Sequence, residues 1–233
     1  MTTTLRAKSI VLCLLLVSGC SCRRQSSDTI TLGAILTLSG ENAFWGKNAQ
    51  NGIELAVDEF NQQGGILNKK VLVVYEDSKS LPNEAVKGVQ KLISVDKVQC
   101  IVGDTMSSNI LAVAPICERN KVILLNFGVA AEITNAGDYI FRNWNSSTSD
   151  AKFTSQYALH RYKKFAVLYQ NDSYGVSSKE AFVSELQKGN AQIVYTGTFE
   201  RAQKNCKGLI SFAAGESRGA GGVGRRESVE TAQ

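Results

Sequence analysis

The side chains that could do chemistry in this 233-residue chain stand in short loops that each follow an apolar run. After Ile30–Leu36 comes Ser39-Gly40-Glu41-Asn42-Ala43-Phe44-Trp45-Gly46, and after Val98–Gly103 comes Asp104-Thr105-Met106-Ser107-Ser108. Asn126-Phe127-Gly128-Val129 follows the next run, and Asn171-Asp172-Ser173-Tyr174-Gly175 follows Phe165–Tyr169. Hydroxyls and free amides at a helix start suit a carboxylate or other small anion, and aromatic walls suit an apolar body. That combination describes binding. Catalytic constellations are missing: His160 is the sole histidine, and no Gly-x-Ser-x-Gly, phosphate loop, CxxC or HExxH occurs. No metal-ligand spacing and no cofactor motif is present, so neither is expected.

The loops need a scaffold that brings them to one edge. Near-continuous apolar strands (30–36, 71–75, 98–103, 122–126, 139–142, 165–169, 192–195) alternate with amphipathic segments. The latter centre on Ala49/Ile53/Val57/Phe60, on a helix from Pro82, and on 108–119, 149–162 and 175–188. Pro115 weakens the third of these, because an interior proline removes a hydrogen bond. The pattern predicts an α/β fold, a parallel sheet with helices on both faces. In such sheets ligands sit beyond the carboxyl ends of the strands, which is where all four loops fall.

Charge and cysteines bound the compartment. Four bases and no acid lie in residues 1–24, and six bases against three acids in 201–233. The net +5 therefore resides at the two ends, and the stretch between carries two more acids than bases. Without a basic stripe, nucleic acid is not an expected partner. Lys8, the apolar run Ile10–Val17 and the small residues before Cys20 read as a secretory signal too short to span a bilayer. Val17-Ser18-Gly19-Cys20 resembles a bacterial lipobox, which makes Cys20 the lipidation site and residues 20–29 a tether. Exported, the chain would be lipid-anchored to the cell membrane or the outer membrane. Cys100 and Cys117, in apolar surroundings, read as buried thiols, with a disulfide between them left open by the oxidising location.

The ordered set Gly33-Ala34-Ile35-Leu36-Thr37-Leu38-Ser39-Gly40, Trp45-Gly46, Asn51-Gly52-Ile53-Glu54-Leu55-Ala56 and Asn61-Gln62-Gln63-Gly64-Gly65-Ile66-Leu67 resembles the opening of leucine/isoleucine/valine-binding proteins. These are type I periplasmic solute-binding proteins of ABC importers. Val102-Gly103, Ser107-Ser108, Phe141-Arg142 and Ala166–Tyr169 with Ser173-Tyr174-Gly175 extend the likeness over roughly residues 30–211. The resemblance implies two α/β lobes closing on a ligand, an ABC permease as partner and no cofactor. Trp45 would cover the ligand, Ser107 beside Ser108 would bind its carboxylate, Phe127, Gly128 and Val129 would line the pocket with backbone groups, and Tyr174 would reach over from the second lobe. The resemblance implies an amino acid or a related small solute as ligand, but Val129 stands where amino-acid binders commonly carry a hydroxyl for the α-amino group and cannot accept that hydrogen bond, which points to a different small molecule such as an amide, a urea-like compound or another organic acid.

These readings divide the chain into a signal peptide (1–19), the tether, an N-terminal lobe that is mostly present (30–143), a partial second lobe (144–211) and a disordered tail. The tail, 212–233, loses both periodicities and reads as foreign sequence. A receptor module of the same fold and an inactive truncated product remain as alternatives to a transport component. Fatty-acid labelling in a bacterial host is expected to tag Cys20, and Cys20→Ser is expected to abolish both the label and partition into detergent.

Overall fold

The computed structural model describes residues 28–201, 203 and 205–218. The signal peptide, Cys20 and most of the tether lie outside the described residues, as does 219–233.

Thr29–Leu36 forms β1, and it pairs in parallel with β2 (Lys70–Asp77) over its full length, from Thr29 opposite Lys70 to Leu36 opposite Asp77. Thr29, expected in the tether, already belongs to this strand. Cys100–Val102 (β3), Ile123–Asn126 (β4) and Ile140–Arg142 (β5) complete a parallel sheet of order β2-β1-β3-β4-β5. Alternation of side chains sends Ile35, Ile101 and Leu124 to one face. There they meet α2 (Pro82–Ser94) and α3 (Ser107–Asn120) through Val89, Leu92 and Ile110, all fully buried. Pro82 sits at the first helical position, where its missing N–H costs nothing. The second proline behaves differently from expectation: α3 runs straight through Pro115, which lies on its exposed side.

The other face is covered over β1 and β2 by α1 (Ala43–Gln62), under which Ala34 and Leu36 are fully buried. Asn61 near the helix end accepts from the Val71 N–H and donates to the Val71 carbonyl, which occupies the open edge of β2. At the other end Gly46 is seated on the backbone of Thr37, so closely that a Cβ there would lie 1.8 Å from the Thr37 oxygen.

From β5 the chain passes to a second unit. It consists of α4 (Ser147–Leu159), β6 (Lys164–Gln170), α5 (Ser173–Lys188), β7 (Gln192–Phe199) and α6 (Lys207–Arg218). β6 and β7 form a parallel pair, and α4 packs on α5 through the small residues Ser147, Ala151 and Ser155. Two expectations need correction here. α4 ends at Leu159 rather than near 162, because the N–H groups of Arg161 and Tyr162 both turn back to the Ala158 carbonyl. The expected tail boundary at 212 falls inside α6, which continues to Arg218 with Ala213 buried. Ala213 follows Leu209 by one turn, and the helix packs on β6 and β7.

Cys100 and Cys117 are free thiols, Cys117 buried and Cys100 only half-buried. Burial pushes the Cys117 thiol up to about 12, so it is inert at neutral pH.

Gly46→Ala is expected to destabilise the chain by about 1–3 kcal/mol through overpacking. Gly52→Ala in the same helix, with no atom within 4 Å of its Cβ, is expected to stabilise it by about 0.5–1 kcal/mol. Urea midpoints moving in opposite directions would establish the contact; equal shifts would refute it.

Candidate functional site

The loop after β4 governs the site, because its backbone N–H groups are all engaged from Phe127 to Ala131. Phe127 donates to the Asp104 carbonyl and Gly128 to Asn126 Oδ1. Val129 and Ala130 both donate to Ser107 Oγ, at 3.1 and 3.2 Å, and Ala131 donates to Ser177 Oγ at 2.8 Å. The Val129 carbonyl accepts from the Ser147 N–H, and Ser147 Oγ lies 2.8 Å from Ser177 Oγ. The expectation that Phe127, Gly128 and Val129 offer backbone groups to a ligand is therefore corrected for the donors: those N–H groups hold the loop. Gly128 is buried besides, with the positions of Ile110 and Ile133 each 2.5 Å from where a Cβ would stand.

Ser107, buried at the first turn of α3, accepts two N–H groups and so has both hydroxyl lone pairs occupied. What remains is its hydrogen, which can only donate. A carboxylate or carbonyl oxygen is the complementary partner. Ser108, its half-buried neighbour, faces no such demand.

Tyr174 stands in the first turn of α5, whose start is fixed by Asp172 accepting from the Gly175 N–H at 2.8 Å. Asp172 also accepts from Gln170 Nε2 and from Arg201, 2.9 Å away. Tyr174 and Val129 line one open cleft of about 240 Å³, together with Ser147, Asp150, Ala151, Thr154, Ser178 and Phe182. The structure thus brings Ser107, Val129 and Tyr174 into one connected region. Trp45 is placed at the start of α1, 59% exposed and edge-on to Phe44 at 5.7 Å, with no contact to that cleft. Phe127 is half-buried in its loop.

A polar floor beneath the strand ends was not read from the sequence. Asp104, fully buried, accepts from Ser78 Oγ at 2.6 Å, Asn109 Nδ2 at 2.8 Å and the Thr105 N–H at 2.5 Å, with Thr37 Oγ1 at 3.2 Å. Asp77 accepts from the N–H groups of Leu38, Ser39 and Lys79 and from Ser39 Oγ. Desolvation raises the Asp77 carboxyl, but the four hydrogen bonds outweigh it and hold the group below its ordinary value. These partners are scattered over three loops and α3, and no local spacing betrays them. Among the described residues no group of three or more His, Cys, Asp or Glu stands where it could hold a metal ion.

A periplasmic binding protein family profile matches residues 29–216, and the chain belongs to that family. It is a family of solute-binding transport components rather than enzymes. The Leu/Ile/Val-binding protein BraC3 of Rhizobium johnstonii is 28% identical over 186 residues, 78% of this chain and 50% of the relative. The leucine-specific-binding protein of Salmonella typhimurium is 27% identical over 189 residues, 79% of this chain and 51% of the relative. Among solved structures, the branched-chain amino acid transporter substrate-binding protein LivJ of Streptococcus pneumoniae, in complex with isoleucine, superposes with a TM-score of 0.73 at 28% identity. That match covers 80% of this chain and 54% of LivJ. A solute-binding protein of R. palustris in complex with 4-hydroxybenzoate gives 0.75 at 25% identity, over 81% of this chain and 51% of that one. The chain spans about half the length of the curated relatives it matches.

Ser107→Ala is expected to leave the Val129 and Ala130 N–H groups without a partner and to cost about 1–3 kcal/mol. Ser108→Ala is expected to stay within about 0.5 kcal/mol. Chemical unfolding followed by circular dichroism checks both, and equal small effects would refute the loop-holding role.

Proposed function

We propose that this chain binds a small organic solute, an amino acid or a close relative, as the extracytoplasmic substrate-binding component of an ABC importer. Its anchor in this reading is lipid on Cys20, and its partner in the membrane is the cognate permease. The observation that carries the reading is the joint between the two sheets. There Ser107 holds the β4 loop with its lone pairs and keeps one hydrogen to give, and Tyr174 and Phe182 wall an open cleft beside Val129. Family membership and the extracytoplasmic location that goes with it support the same conclusion. The isoleucine and 4-hydroxybenzoate held by the solved relatives are ligands of the size and chemistry such a cleft takes. Trp45, exposed at the same end of the first sheet, is available to cover a bound solute.

A ligand in this cleft keeps a solvent-facing side, because Tyr174 is itself 49% exposed. Dissociation constants of about 1 mM, near −4 kcal/mol, are therefore expected for the 233-residue chain. Titration of the isotope-labelled chain with leucine, isoleucine and 4-hydroxybenzoate should shift the amide resonances of Val129 and Tyr174 first. Tyr174→Ala should weaken the response about tenfold, roughly 1.4 kcal/mol of lost ring contact. Absence of any saturable shift with all three compounds would overturn the proposal.

A further inference from the structure

Among the described residues, hydrogen bonds join the two units at two places, far apart along the first sheet. One is the joint already described, where the loop after β4 meets Ser147 and Ser177. The other is made by Arg201, in the loop after β7. Its Nη2 donates to Asp172 Oδ2 at 2.9 Å, within the second unit. Its Nη1 reaches the Ser80 carbonyl at 3.5 Å, in the loop after β2 of the first unit. The sheet order β2-β1-β3-β4-β5 puts three inter-strand steps, about 14 Å, between the β4 end and the β2 end. The chain itself crosses between the units after β5, next to β4. A contact beside that crossover constrains rotation of the units little, whereas one at the far edge acts on a long lever arm.

Both ends of the Arg201 contact are firmly built. Ser80 is buried, and it and Lys79 take positive φ, 62° and 51°, which residues other than glycine rarely adopt in succession. Asp77 accepts from the Lys79 N–H, and Ser80 Oγ accepts from the Asn42 N–H at 3.4 Å, so two loops fix this turn. On the other side Asp172 caps α5, the helix that carries Tyr174. The same oxygen of Asp172 also accepts from Gln170 Nε2 at 2.6 Å, so the carboxylate has a donor without the arginine. What the guanidinium adds is a planar fork that engages acceptors on two different elements at once. The Arg201 side chain is only 27% exposed, and a partly buried contact is screened less by salt than a surface pair.

We propose that Arg201 is a positioning residue that ties the strand-end loops of the two units together at the β2 edge. It holds the mouth between them narrow before any ligand is present. One consequence rests on the proposed solute-binding reading: the tie keeps Tyr174 placed against the first unit and so raises the fraction of molecules competent to bind.

Residual dipolar couplings of the isotope-labelled 233-residue chain, without ligand, read the orientation of residues 29–142 against 147–199. The unmodified chain is expected to fit a single alignment tensor over both units. Arg201→Ala should require two tensors, while couplings within each unit still fit the structure. Gln170→Ala removes a donor from the same Asp172 oxygen but no arm to Ser80, and should keep the single tensor. A role confined to supporting Asp172 would make the two variants alike, and that result would overturn the proposal. A single tensor in Arg201→Ala would overturn it too. Should Arg201→Ala fail to fold, cross-peaks between Arg201 side-chain protons and Ser80 in the unmodified chain support the tie, and their absence overturns it. Where leucine binds, Arg201→Ala should weaken it about threefold as the competent fraction falls, and Gln170→Ala should not. If leucine does not bind at all, the solute-binding reading fails and the tie is judged by the couplings alone.

Discussion

Five consecutive backbone N–H groups, Phe127 to Ala131, must find acceptors in a loop that belongs to no strand or α-helix. A buried orphan donor costs roughly 1–3 kcal/mol, so five would exceed what a domain of this size can tolerate. Acceptors come from both sides of the molecule: the Asp104 carbonyl, Asn126 and Ser107 from the first unit, and Ser177 from the second. The loop is thereby fixed to α3 and α5 at once. That double attachment, with the Ser147 N–H on the Val129 carbonyl, sets where the second unit stands against the first. Small residues are required throughout. Gly128 has no room for a Cβ, and Ser147 and Ser177 approach to 2.8 Å only because neither carries more than a hydroxymethyl group.

The polar floor under β1, β2 and β3 extends the same logic. A fully buried carboxylate is expensive unless its oxygens are well supplied with donors. Asp104 draws donors from the loops after β1 and β2 and from α3, and Asp77 draws them from the loops after β1 and β2. Strand ends tied to one another in this way hold their positions without help from a ligand. Trp45 follows from a related contact. Gly46 is pressed against the Thr37 backbone, so the residue before it is directed away from the sheet and into solvent.

Much of this architecture could be read from the chain, for reasons that differ by element. β1, β2 and β6 are near-continuous apolar runs, and α2 and α5 carry apolar residues at helical spacing, so their signals are local. The strand-end rule located Ser107, Val129 and Tyr174 because it depends only on strand order. The networks escaped because their members are far apart: Thr37, Ser78, Asp104 and Asn109 share no spacing, and Ser147 meets Ser177 across thirty residues. The short 3₁₀ helix Ala131–Asn135 lacked a signal of its own. The end of α6 was missed because alanine and glycine carry no apolar period, whereas burial of Ala213 against the β6–β7 pair decides the conformation. Role was harder to read than position. Ser107 and the β4 loop were found, but that the loop donors serve the fold rather than a ligand appears only once every partner is known.

That distinction separates scaffold from site. A polar group whose valences are filled by the protein contributes rigidity, and one left open contributes recognition. By this measure Ser177, Asn126, Asp77 and Asp104 are scaffold. Ser107 is divided, its lone pairs given to the loop and its hydrogen left over. Tyr174 Oη and the Asp150 carboxylate have no partner among the described residues and stand on the same cleft. Among the described residues the open groups of this region differ in chemistry: the Ser107 hydrogen from the first unit, and the Tyr174 phenol, the Asp150 carboxylate and the Thr154 and Ser178 hydroxyls from the second. In the proposed solute-binding reading, these are the groups that a ligand would meet. Selectivity of that kind depends on the scaffold holding the two units in register, which returns the argument to the β4 loop.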